Sequence, residues 1–319
     1  MVPSALQTVR LGPTSLEVPA LGIGTWSWGD KLYWDYGNTY DREQLHASFA
    51  AATEAGLVLF DTAEVYGLGE SERLLGAFMK GSPYPVCIAS KYFPFPWRIF
   101  PQQVVDALDA TLERLGRSQV DLYQIHWPLH FLLGHKTLLK TLADQVKAGK
   151  IRAIGVSNYS AAQLREAHGY LKEWGVPLAV NQVQYSLLER RIERNGVLAA
   201  ARELDVAILA YCPLAQGLLT GKYGRETSLP PTGARRLDPR FTATGFAKIL
   251  PVVDALREIG DRRDRTAAQV ALNWLITRAQ VVPIPGAKTP EQVRDNVGAL
   301  GWSLSPEEGD LLASLTQEF

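Results

Sequence analysis

Short apolar runs alternate with longer amphipathic stretches along the whole chain. Runs at 20–25 (ALGIGT), 57–61 (LVLFD), 86–91 (VCIASK), 120–126 (VDLYQIH), 151–158 (IRAIGVSN), 177–184 (PLAVNQVQ), 206–211 (VAILAY) and 281–286 (VVPIPG) are rich in Val, Ile, Leu and Ala and mostly lack polar alternation. Runs of this kind fit strands buried on both faces, the situation of a parallel sheet. Helical periodicity fills the gaps, at 41–56, 71–80, 101–116, 135–150, 160–175 and 195–205. Asp41 stands where a cap is needed, while Pro101 opens one helix and Gly116 follows its end. Two helices, near 246–260 and 266–278, follow the seventh run. One at 289–300 follows the eighth, and a short helix at 305–316 closes the chain.

The runs recur at roughly 30 residues, one strand and one helix each. Eight such units with right-handed crossovers favour a closed parallel (β/α)8 TIM barrel over an open doubly wound sheet. A dinucleotide-binding open sheet would carry a phosphate loop, and Gly22-Ile23-Gly24 lacks the third glycine of that fingerprint. Residues 1–19 turn at Gly12-Pro13, which predicts an N-terminal β-hairpin capping the barrel bottom. The segment 213–245 holds Pro230, Pro231, Gly233 and Pro239 and few apolar positions, which predicts a long functional loop after strand seven. No linker interrupts the pattern, so residues 1–319 are expected to form one barrel domain.

Composition narrows the chemistry by exclusion. Lys plus Arg equals Asp plus Glu, 33 each, so no global field favours nucleic acid or an anionic membrane. The two cysteines, Cys87 and Cys212, cannot build a disulfide framework or a zinc site, which fits a reducing compartment. The first residues do not read as a signal peptide, and no apolar stretch is long enough to span a membrane, so a cytoplasmic protein is expected. No His, Cys, Asp or Glu cluster has metal-ligand spacing, and no metal is expected.

In a β/α barrel the active site lies where the strands end. The runs end in Gly24-Thr25-Trp26, Asp61, Lys91, His126, Ser157-Asn158, Gln182, Tyr211 and Pro285-Gly286. Any one of these could be a strand-end polar group meeting solvent. Asp61, Lys91 and His126 on three successive strands converge on one mouth, which points to chemistry.

FDTAEVYG (60–67), ASKY (89–92), DLYQIHWP (121–128), GVSNYS (155–160), NQVQYS (181–186), PLAQGLLTGKY (213–223) and IPGAKTPEQVRDN (284–296) resemble, in order, the signature blocks of the aldo-keto reductase family. The opening GxWxWGD and the IHWP block are most similar to a branch of photosynthetic bacteria and plastids. The resemblance implies a catalytic tetrad of Asp61, Tyr66, Lys91 and His126 and an NADPH cofactor across the barrel mouth. Tyr66 is then the general acid for carbonyl reduction. Its phenol, normally near 10, is expected to be lowered by about 2 units beside the Lys91 ammonium. Asp61 keeps Lys91 charged and aimed, and His126 donates to the carbonyl oxygen.

The resemblance further places Ser157, Asn158 and Gln182 on the nicotinamide carboxamide, with Tyr211 stacked on the ring. Gly24, Thr25 and Trp26 fall beside the nicotinamide ribose. Pro213, Leu214, Ala215, Gly217 and Lys222 wrap the pyrophosphate, and Gly286, Lys288, Gln292 and Asn296 take the adenosine end at a helix N-terminus. Lys288 and Arg235 could neutralise a 2′-phosphate, hence NADPH. Gly286 and Gln292 stand where many members have lysine and arginine.

Aromatic residues crowd the expected mouth. Trp28, Trp97 and Trp127 are assigned to the substrate pocket, which predicts an aldehyde or ketone with an apolar or aromatic body. Arg98, in the FPWRIF loop, is a candidate to meet an acidic substrate. Two competing readings remain. One is a regulatory module, since some relatives in the family serve as channel-associated subunits that keep the nicotinamide site. The other is a barrel enzyme using Lys91 as a Schiff-base nucleophile. Oligomeric state is left open.

Overall fold

In the computed structural model, which describes residues 6–223 and 238–319, eight strands form one parallel sheet ordered along the chain. They are β3 (Ile23–Gly24), β4 (Leu59–Asp61), β5 (Cys87–Tyr92), β6 (Val120–Ile125), β7 (Ile151–Ser157), β8 (Leu178–Gln184), β9 (Ala207–Tyr211) and β10 (Val281–Pro283). The sheet curls until its first and last strands meet. Gly22 and Gly24 donate their N–H groups to the carbonyls of Pro283 and Pro285, both at 3.0 Å. A Cβ on Gly24 would stand 2.8 Å from the Ile284 carbonyl oxygen, so this seam needs glycine. The Gly22-Ile23-Gly24 segment therefore closes a barrel and has no part in a phosphate loop.

The hairpin expected at the bottom is present. Its strands β1 (Thr8–Arg10) and β2 (Glu17–Pro19) pair antiparallel, Thr8 opposite Pro19. Leu11, Leu16 and Val18 plug the barrel beneath an inner layer that includes Leu59, Ala89, Leu122, Ala153 and Leu209. Two residues further along the same strands stand Asp61, Lys91, Gln124 and Tyr211, with Gly155 at the corresponding position of β7. The strand period of two thus sets a polar layer directly above an apolar one. Room for this layer depends on Gly155, where a Cβ would lie 2.9 Å from Cγ of Gln124 and 2.5 Å from Cγ2 of Val180.

Helices cover the outside. They are α1 (Arg42–Glu54), α2 (Glu70–Met79), α3 (Pro101–Leu115), α4 (His135–Lys147), α5 (Ala161–Glu173), α6 (Arg191–Arg194), α7 (Val197–Glu203), α8 (Ala243–Arg263), α9 (Ala267–Ile276), α10 (Pro290–Val297) and α11 (Pro306–Leu315). Asp41 caps α1 by accepting from the Gln44 N–H, and Gly116 ends α3 in the left-handed region. The single-turn α6 had no periodicity to betray it, and α8 begins before the expected 246, capped by Thr242. Part of the long loop expected at 213–245, including Arg235, lies outside the described residues.

Candidate active site

The polar layer opens into a cleft of about 680 Å³ at the C-terminal ends of the strands. At its floor Lys91 is fully buried at the end of β5, and Asp61 on the neighbouring β4 is almost so. An ammonium has three hydrogens, and all three have acceptors here. Lys91 Nζ donates to Asp61 Oδ2 at 2.5 Å, to the Thr62 carbonyl at 2.8 Å and to Tyr66 Oη at 3.3 Å. Burial pulls the Lys91 ammonium down from its ordinary value, while Asp61 and then Glu72 pull it back up.

Asp61 Oδ1 is held by two amides. Gln182 Nε2 donates to it at 2.6 Å and Gln124 Nε2 at 3.2 Å. A buried carboxylate with one charge partner and two neutral donors has the satisfaction that burial requires. Gln182, expected on a carboxamide, is thus also part of the Asp61 cradle. Gln124 was not among the expected site residues. Its signal was there, one strand over from Lys91 in register and inside the DLYQIH run, but a lone Gln carries no charge to draw notice.

Tyr66 reaches the cleft from a tight turn, in which Gly67, Leu68 and Gly69 all have positive φ (55°, 57° and 86°). Gly67 abuts the Gly29 carbonyl, 2.7 Å from where a Cβ would be. The ring packs edge-on against His126 at 5.8 Å between centroids, and Lys91 Nζ lies 4.8 Å from its centre. The phenol is pushed well above its ordinary value, by burial first and then by the negative charge of Asp61. This corrects the expected lowering. Desolvation, reinforced by the negative charge of Asp61, outweighs what the neighbouring Lys91 ammonium offers a phenolate. The phenol therefore keeps its proton at neutral pH. His126 is depressed to about 3 by burial and by the Lys91 charge, so its imidazole is neutral. His126 Nδ1 is buried with no partner among the described residues.

Above the floor, most residues expected at the cofactor line the same cleft: Gly24, Trp26, Asp61, Ser157, Asn158, Gln182, Tyr211, Pro213, Leu214, Gly217, Lys222, Gly286, Lys288, Gln292 and Asn296. Tyr211 Oη donates to Asn158 Oδ1 at 3.0 Å, and Ser157 Oγ donates to the Gln182 carbonyl at 2.9 Å. Two expected residues do not reach the cleft. Thr25 is fully buried, its hydroxyl bonded to the Asp61 carbonyl and Ser71 Oγ, and Ala215 is fully buried as well.

A nicotinamide dinucleotide fits this lining on two observations. Cys212, Ala215, Gln216 and Gly217 all take positive φ (50°, 48°, 56° and 98°), and strain of that density is a feature of ligand clamps. At the far end, Asn296 is almost fully buried on the cleft wall, and its Nδ2 has no partner among the described residues. Lys288 lies over the Tyr40 ring at 4.2 Å and the Trp34 ring at 4.9 Å, which keeps its cation near the same end. The Cys212 thiol is pushed up to about 11 by burial, so it is no activated nucleophile.

The substrate side departs from expectation at two of three tryptophans. Trp127 lines the cleft with Trp26, Trp34 and Phe93. Trp28 is fully buried, donates to the Ala287 carbonyl and packs on Phe60 and Phe78 beneath the mouth. Trp97 stacks on Phe95 at 4.6 Å, remains 64% exposed and lies outside the cleft lining. Sequence order placed both near the mouth but could not say which way the rings turn. Arg98 is paired with Glu64 and is not among the residues that line the cleft.

Comparison with known proteins agrees with this geometry. A profile described as the Aldo/keto reductase family matches residues 20–317. The chain is 42% identical to the chloroplastic pyridoxal reductase of Arabidopsis thaliana, over 95% of this chain and 84% of that protein. It is 30% identical to an NADH-specific methylglyoxal reductase of Escherichia coli, over 98% and 99%. A crystal structure of an aldo-keto reductase from Klebsiella pneumoniae in complex with NADPH superposes with a TM-score of 0.76 at 30% identity, covering 98% of this chain and 96% of that one.

Proposed function

This chain belongs to the aldo/keto reductase family, and from that premise we propose that it is an NADPH-dependent reductase of aldehydes and ketones in which Tyr66 is the general acid. The observation that carries the reading is the fully satisfied Lys91 ammonium, which joins Asp61 to Tyr66 at the floor of the cleft. Bound NADPH supplies the hydride. The protein's own groups handle the proton and the charge. A carbonyl oxygen seated between Tyr66 Oη and the neutral His126 imidazole accepts from both. As negative charge develops on that oxygen, Tyr66 gives up its proton, and Lys91 and His126 stabilise what remains. Asp61, held by Gln124 and Gln182, keeps Lys91 charged and in place.

Trp26, Trp34, Phe93 and Trp127 give the carbonyl end apolar aromatic walls, which favours a substrate with an apolar or aromatic body. Pyridoxal, named in a relative, is the natural aromatic aldehyde to try. NADPH is preferred over NADH because Lys288 stands at the adenosine end. A second contact from Arg235 belongs to the same proposal, as do a cytoplasmic location and one domain over 1–319. No helix among the described residues is long and apolar enough to cross a membrane.

The test is a panel of aliphatic and aromatic aldehydes and ketones, pyridoxal included, followed by nicotinamide absorbance with NADPH and with NADH. Turnover of several members with a preference for NADPH supports the proposal. Tight nucleotide binding with no turnover on any member would favour the regulatory-module reading instead.

A further inference from the structure

One buried ion pair beside the cleft is left unused by the reaction described above. Glu64 stands two residues before Tyr66, and Arg98 lies in the loop between β5 and α3. Their side chains are only 7% and 17% exposed. Arg98 grips both carboxylate oxygens, Nη1 to Oε1 at 2.6 Å and Nη2 to Oε2 at 2.9 Å. The same two groups also hold Phe93 by its backbone. Its N–H donates to Glu64 Oε1 at 2.6 Å, and its carbonyl accepts from Arg98 Nη1 at 2.8 Å. The Phe93 ring lines the cleft and packs edge-on against His126 at 5.7 Å. The guanidinium itself is sandwiched, 4.9 Å from the Tyr92 ring centre and 5.2 Å from that of Phe95.

We propose that Glu64 and Arg98 are positioning residues that clasp the Tyr66 loop to the Phe93 loop and so set the width and shape of the carbonyl site. The proposal rests on reading the cleft as a carbonyl-reduction site. A pair kept only for stability would need no such geometry, since apolar residues of similar volume serve a core equally well. This pair instead saturates both backbone groups of a single wall residue and binds them to the loop of the general acid. The planar fork of arginine is required for that, because one nitrogen bridges Glu64 and the Phe93 carbonyl while the other completes the bidentate contact. A lysine keeps the charge but not the fork.

Arg98→Lys, with Glu64→Gln as a second variant, tests this in the full chain. The parent and each variant are assayed with NADPH on a small aliphatic aldehyde and on a bulky aromatic one. Cofactor affinity is read from tryptophan quenching, and backbone protection over residues 90–100 from hydrogen exchange. A wall displaced by ~1 Å should lower kcat/KM for the aromatic aldehyde by about tenfold or more, with less than about threefold loss on the small one. Cofactor affinity stays as in the parent, and exchange at Phe93 accelerates. Equal losses on both aldehydes, or an unchanged Phe93 exchange rate in both variants, would overturn the clasp. A parent that reduces neither aldehyde defeats the carbonyl-reduction reading, and the exchange comparison still decides the clasp.

Discussion

Replacing Lys91 by methionine separates its two duties, one in catalysis and one in stability. Methionine fills a similar volume, so the change leaves little cavity, but it strands Asp61. That carboxylate is only 2% exposed and would keep just the Gln182 and Gln124 amides. Breaking a buried pair by removing one partner costs about 3–5 kcal/mol. Unfolding entropy of about 2.1 cal/mol/K per residue, summed over a chain of this length, gives about 0.7 kcal/mol/K. The expected fall in Tm is therefore about 4–7 °C. Adding Asp61→Asn removes the stranded charge, and the double variant should regain most of that loss. Activity should not return, because Tyr66 still lacks its cationic neighbour. Calorimetry and aldehyde turnover on the parent, both single variants and the double variant form a complete cycle. A double variant no more stable than Lys91→Met would refute the claim that the pair is mutually required. Recovered turnover would refute the role given to Lys91.

Two further outcomes follow from the site. His126 and His130 are held neutral in the fold, at about 3 and about 4, chiefly by burial. Below the ordinary histidine value of about 6.5 the unfolded chain binds protons that the folded chain refuses, so stability should fall as pH drops from about 6.5 toward 4. His126→Phe should make that fall in Tm shallower; an unchanged slope would contradict a neutral His126. Lys288→Ala should weaken NADPH by about tenfold or more while NADH changes far less, since a charge-assisted contact to a phosphate is worth ~1.5–3 kcal/mol. Equal losses, read by fluorescence titration, would reject a 2′-phosphate contact.

The order of strands and helices was legible because a both-faces-buried strand leaves few alternatives to a Val, Ile and Leu run. All eight runs became strands, with no boundary displaced by more than three residues and β5 reaching one residue further, to Tyr92. Asp61, Lys91 and His126 were legible for a related reason, since ionisable residues at the ends of successive apolar runs must meet in a barrel, whereas Tyr66, off the strand end, came only from the family resemblance. Other features depend on direction in space. Trp28 and Trp26 are two residues apart, yet one ring turns under the mouth and the other into it. Gly22 and Gly24 looked like a failed phosphate loop because a contact with the last strand is invisible until the barrel closes. The raised Tyr66 phenol was missed because the attraction of Lys91 was counted without the burial of the phenol and the negative charge of Asp61. Glu64 and Arg98 lie 34 residues apart, and nothing local announces their pairing.

The central claim is that Tyr66 hands a proton to a carbonyl as hydride arrives beside it. Single-turnover reduction of an aromatic aldehyde with NADPH deuterated at the reactive nicotinamide carbon tests this directly, in the parent and in Tyr66→Phe. The account predicts deuterium on the carbinol carbon with the parent. With Tyr66→Phe it predicts a rate on the order of 100-fold or more lower, at unchanged nucleotide affinity. Transfer at the parental rate without the phenol, or an alcohol free of deuterium, would contradict it.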